Sequence, residues 1–130
     1  MRQTFTKDER LRKKILITKL FQEGSSFFVY PFRVSWLPSI VPGASPVQVL
    51  VSVPKQVIRK AVNRNKIKRR MREAYRKNKF ILYEFLEPNQ GTLILALTYT
   101  SKEILPYDLL QEKIIVLLQR LRIEYAKSTG

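Results

Sequence analysis

The chain has 130 residues, 45% hydrophobic and 27% charged, a composition that fits one globular domain over residues 1–130 and excludes a disordered segment. Its 25 Lys and Arg against 10 Asp and Glu leave a net charge of +15, and self-repulsion of that size is best tolerated where a polyanion is the partner. Cysteine and histidine are both absent, which excludes disulfides, thiolate metal sites and nucleophiles activated by an imidazole.

In chain order, Thr6 and Glu9 have the spacing of a capping box. A helix is predicted over about 13–23, with Leu16, Ile17, Leu20 and Phe21 on one face and Gly24 placed to end it in the left-handed conformation. Residues 27–37, FFVYPFRVSWL, are aromatic and β-branched and read as extended structure. Pro31 limits them to an edge or to a break between two strands. PSIVPGASP, residues 38–46, reads as a loop. VQVLVSV then alternates, so Val47, Val49, Val51 and Val53 face one way and Gln48, Leu50 and Ser52 the other, before Pro54 closes the strand.

Residues 60–79, KAVNRNKIKRRMREAYRKNK, hold ten basic residues and one acid, Glu73. Wound at roughly 100° per residue, Ile67, Met71, Ala74 and Tyr75 form one apolar stripe. Asn65, Arg69, Arg72 and Arg76 lie opposite, flanked by Lys66 and Lys68. Ile58, Ala61 and Val62 are out of phase with the stripe, so the helix is predicted to start at Asn63 as N-cap and to run to about residue 78. TLILALTYT follows as a strand buried on both faces. Leu110, Ile114, Leu117, Leu118, Leu121 and Tyr125 mark a terminal helix behind Pro106. Helix, two or three strands, helix, strand, helix make an α+β sandwich around one mixed sheet.

Arginines repeated at three- and four-residue spacing oppose a helix in isolation, and phosphates among them relieve the repulsion. The cationic face reads as a nucleic-acid surface, an anionic-membrane surface or a merely solvated face. RNA suits it better than DNA, because the helix leads on to a buried strand and no second helix precedes it across a short turn. Asn65 reads either as a contact residue or as a turn residue bonded to local backbone. Phe21 reads either as core or as a base-stacking platform. The ten acids are scattered, which argues against a catalytic or metal-binding carboxylate cluster. No apolar run is long enough to span a membrane, and MRQTFTKDERLRKK lacks the core of a signal peptide, so a cytoplasmic protein without a membrane partner is expected.

KAVNRNKIKRRMRE, residues 60–73, closely resembles the signature of the bacterial ribonuclease P protein component. The match holds at Lys60, Ala61, Val62, Arg64, Asn65, Lys68, Arg69, Arg72 and Glu73. Lys66 stands where arginine is usual, which keeps the charge and loses the planar fork. RLRKKILITKLFQEG is similar to the family's opening helix, and LPYDLLQEKIIVLLQRL to its last. VSVPKQ is similar to a strand end of the family, with Lys55 matching and Pro54 and Gln56 departing.

The resemblance implies an α-β-β-β-α-β-α sandwich with one mixed sheet and a left-handed β-α-β crossover, against the usual hand. It also implies a subunit with no catalytic residue and no bound metal of its own, and no obligate protein partner. A catalytic RNA would carry the active site and Mg²⁺, and the complex would remove the 5′ leader of precursor tRNA. Position by position, Arg64, Asn65, Lys66, Lys68, Arg69 and Arg72 would contact the catalytic RNA. Phe21, Arg10 and Lys55 would hold the leader in a cleft between the first helix and the sheet. Ile17 stands where the family often has phenylalanine, and Ser35, beside Trp36, where it often has tyrosine. Basicity alone is equally suited to a ribosomal or RNA-chaperone type RNA-binding protein with no part in catalysis.

Overall fold

The computed structural model describes residues 5–38, 45–89 and 91–129. A 3-10 turn at Lys7–Glu9 opens it, and the Glu9 carboxylate accepts the Thr6 backbone N–H at 3.0 Å, as the capping-box spacing predicts. Helix α1 (Lys14–Glu23) is followed by strands β1 (Ser25–Val29), β2 (Phe32–Pro38) and β3 (Val47–Ser52). Helices α2 (Ala61–Asn78) and α3 (Phe80–Leu86) then lead to β4 (Leu93–Tyr99) and α4 (Tyr107–Thr129). Pro31, in a cis peptide with Tyr30, separates β1 from β2. The loop expected at 38–46 falls mostly on residues 39–44, outside the described residues.

The four strands make one mixed sheet in the order β1-β2-β4-β3. β1–β2 and β2–β4 are antiparallel, while β3 and β4 are parallel neighbours joined through α2 and α3. Alternation along the strands divides the side chains between two faces. Phe32, Val34, Trp36 and the valines of β3 pack with α2, α3 and α4 in the main core. The opposite face meets α1 and the segment before it, where Leu20 joins Leu11, Ile94 and Ala96 in a smaller cluster. A ten-residue helix is only about 15 Å long, so part of this face stays open.

Three local expectations need correction. Gly24 ends α1 in extended backbone, at φ −73° and ψ 161°, and not in the left-handed region. Glycine is needed there for space, since a Cβ would collide with the carbonyl oxygens of Leu20 and Trp36. Helix α2 starts at Ala61 with Lys60 as N-cap, three residues before the predicted cap at Asn63. Its first-turn residues Ala61 and Val62 are exposed, so their opposed phase conflicts with no burial. Ile58, which is buried, belongs to the preceding loop. Finally, α3 was not anticipated; Ile81, Leu82 and Leu86 are buried at helical spacing, and α3 packs on α4.

Candidate nucleic-acid interface

Ile67, Met71, Ala74 and Tyr75 are all at 0% exposure, so the apolar stripe of α2 is fully seated in the core. That seating turns the opposite side to solvent. Asn65, Lys66 and Arg69 are exposed, while Arg64, Lys68 and Arg72 are half-buried. Among the described residues no acid pairs with Lys66, Lys68 or Arg69. Arg64 is turned back onto the loop before the helix, where its Nη1 donates to the carbonyls of Ile58 at 3.1 Å and Arg59 at 2.6 Å. It therefore shapes the entry to α2 as well as adding charge. At the far end, Glu73 takes Arg76 at 2.5 Å and Lys77 at 3.8 Å, so the row of like charges is relieved there. The Arg76 hydrogen bond holds the Glu73 carboxyl below its usual range.

The structure brings Arg10 and Arg72 together, although the family resemblance assigns them to different RNAs. They line a pocket of about 180 Å³ with Phe5, Leu11, Arg12 and residues 49–51 of β3. Burial lowers the pKa of the Arg72 guanidinium, and the nearby Arg10 charge lowers it further. Among the described residues no carboxylate lines the pocket, so an entering phosphate would relieve that repulsion. Arg10 also stacks over the Phe5 ring at 5.1 Å and bridges to Val49, while the Leu11 N–H donates to the Val49 carbonyl at 2.9 Å.

What fixes this N-terminal segment is a buried ion pair. Glu9, 5% exposed, accepts from Lys79 Nζ at 2.5 Å and from the Tyr83 hydroxyl at 2.6 Å. Burial pushes the Glu9 carboxyl up, the bonds from Lys79, Tyr83 and Thr6 pull it down, and the net result lies below the usual range. Burial also raises the Tyr83 hydroxyl far above its ordinary value, with the Glu9 hydrogen bond acting in the same direction.

The open part of the α1 face forms a cleft of about 440 Å³. Leu20, Phe21 and Gly24 form one wall, with Ser26, Arg33, Ser35, Ser52 and Thr98 from the four strands. Phe21 is 55% exposed whereas Leu20 is at 1%, so Leu20 takes the core position and Phe21 the cleft. Ile17 is half-buried in the smaller cluster. Ser35 lines the floor, but Trp36 points to the other face, against Tyr125 with ring centroids 6.2 Å apart, and is removed from the cleft. Lys55 is exposed in the turn three residues beyond Ser52, while Arg10 lies in the other pocket.

Sequence reasoning missed Arg33. A charge between buried Phe32 and Val34 was the available signal, since alternation must put it on the opposite face. Among the described residues no three His, Cys, Asp or Glu side chains converge as a metal site, and no helix is long and apolar enough to cross a membrane.

A family model described as Ribonuclease P matches residues 5–122. The ribonuclease P protein component of Porphyromonas gingivalis strain ATCC 33277 is 40% identical over 99 residues, covering 76% of this chain and 72% of the relative. That of Chlorobium phaeobacteroides is 32% identical over 127 residues, covering 90% and 87%. Among solved structures, the RNase P protein from Thermotoga maritima superposes with a TM-score of 0.66 at 25% identity, over 86% of this chain and 96% of that one. The Staphylococcus aureus RNase P protein has a TM-score of 0.65 at 18% identity, over 88% and 96%, and shows likeness of fold.

Proposed function

The chain belongs to the ribonuclease P protein family, and on that premise we propose that it binds the enzyme's catalytic RNA through α2 and the 5′ leader of precursor tRNA through the α1 cleft. The observation that carries this reading is α2 itself. Its stripe of four buried residues leaves it one orientation, with Asn65, Lys66, Lys68 and Arg69 outward and Arg72 beside Arg10. A rigid cationic face of this kind holds phosphates without ordering its own backbone.

The cleft supplies a different chemistry: one half-exposed aromatic ring, a guanidinium and a floor of hydroxyls. A ring face accepts any base, and an arginine accepts the phosphate between bases, which suits a leader of variable sequence. Among the described residues no three Asp or Glu side chains converge, and in this reading the RNA carries the Mg²⁺ and the cleavage chemistry. The protein then positions both RNAs in the cytoplasm and lowers their mutual repulsion.

Adding the protein to its cognate catalytic RNA should raise cleavage of precursor tRNA at low Mg²⁺, while the protein alone cleaves nothing. Mg²⁺-dependent cleavage by RNA-free protein, lost on mutating one of its acids, would overturn the assignment. Equal affinity for unrelated structured RNAs would favour a ribosomal or chaperone role.

Phe21→Ala should weaken precursor binding by the assembled complex about five- to tenfold, near the low end for stacking on one aromatic. Mature tRNA should bind almost unchanged. The low end is expected because Ile17 and Ser35 give the ring no aromatic neighbour in the cleft. Parallel loss of both affinities, or a fallen melting temperature, would return Phe21 to a structural role.

A further inference from the structure

On the face shared with α1, strand register places Phe28 opposite Arg33, Arg33 opposite Thr98, and Thr98 opposite Ser52. These four residues form a single row across the whole sheet. Helix α1 covers the rows through Ile94 and Ala96, whereas Arg33, Thr98 and Ser52 of this row line the cleft floor. Phe28 shares the face of Ser26, two residues earlier, and carries the row to the β1 edge. Its neighbour Phe27 turns the other way, with Arg120 over its ring at 4.4 Å.

Phe28 is 52% exposed and meets Tyr30, 51% exposed, edge to face with centroids 6.4 Å apart. The Tyr30 hydroxyl donates to Ser101 Oγ at 3.2 Å, which anchors the pair. Two large rings thus stand half in water at the end of a row that already contains a cation and two hydroxyls.

We propose that this row is a single-stranded RNA track, with Phe28 backed by Tyr30 as a second stacking platform and Arg33 holding the phosphate between it and Phe21. The inference rests on the leader reading of the cleft and extends it to a site of its own. Three strand spacings of roughly 4.8 Å make the row about 14 Å long. That length accommodates about four nucleotides at the stacked spacing of about 3.4 Å, and fewer when extended. A polyanion fits better than a second copy of the chain, because among the described residues no carboxylate lines the cleft around Arg33. Two copies paired at β1 would bring like charges together.

The test uses the complex of this chain with its catalytic RNA and precursor tRNAs whose leaders grow one nucleotide at a time. For wild type, affinity should rise in two increments, the first lost in Phe21→Ala and the second in Phe28→Ala. The Phe28→Ala loss should be about five- to tenfold and confined to long leaders, with Phe28→Tyr restoring it. Arg33→Gln should flatten the slope of log affinity against log salt by about 0.7, the value for one phosphate on a single strand.

If Phe28→Ala matches wild type at every length while Phe21→Ala still loses affinity, the track is wrong and the cleft reading stands. If leader length has no effect on wild type, both fall. A concentration-dependent dimer of the free protein, abolished by Phe28→Ala in sedimentation, would make the ring a contact between copies and overturn the track.

Discussion

Replacing Glu9 with alanine is expected to destabilise the fold by about 3–5 kcal/mol. Lys79 is only 3% exposed, and the substitution removes the carboxylate that its buried ammonium pairs with. The Tyr83 hydroxyl loses one partner and keeps Ser45 at 2.8 Å, so loss of the buried ion pair dominates the cost. Urea unfolding of Glu9→Ala, of Glu9→Leu and Lys79→Met, and of the double variant Glu9→Leu with Lys79→Met should separate the terms. The double variant should recover much of the single-variant loss, because an apolar pair leaves no uncompensated charge. Simple additivity of the two losses would show that the pair is not coupled.

The pH dependence follows from the same carboxyl. Its folded pKa lies below the ordinary value of 4.5, so its stabilising contribution is fully present above about that pH. That contribution is lost as pH falls through the depressed value. Wild type should therefore lose stability below pH 4.5 more steeply than the double variant. This ion pair also sets the place of Arg10, the next residue, so Glu9→Ala should weaken RNA binding even where the rest of the fold survives.

Met71→Ala and Arg69→Ala are expected to act in opposite ways although they lie two residues apart. Met71 is at 0% exposure, and its truncation should cost about 2–5 kcal/mol through lost transfer energy and a residual cavity. Arg69 is exposed, so its removal should leave the melting temperature near wild type. RNA affinity should fall instead, with a salt slope flatter by roughly 0.7–0.9 if one phosphate contact is lost. Thermal melts and salt titrations of the two variants read the two faces of α2 separately. An equal fall in melting temperature would contradict the orientation of α2.

The features that could be read from the sequence are those written in short-range periods. Alternation sets the faces of β3, the apolar phase of Ile67, Met71, Ala74 and Tyr75 sets the orientation of α2, and a six-residue apolar register defines α4. The cationic face then follows, because charges opposite a buried stripe can only face water. The signature at residues 60–73 adds the family, which the matched residues 5–122 bear out.

Tertiary structure decided whatever depends on partners far apart in the chain. The start of α2 rests on a loop held by Arg64, and the role of Gly24 on the approach of β2. Alternation separates Ser35 from Trp36, but only the pairing of β2 with β4, and the helices each face meets, show which of them reaches the cleft. The meeting of Arg10 with Arg72, and the row from Phe28 to Ser52, exist only once the strands are in register. Glu9 and Lys79 stand 70 positions apart, and nothing local to either one signals the pair. Local sequence encodes which side of an element is apolar; which elements meet, and what is left uncovered between them, is settled by packing the whole chain.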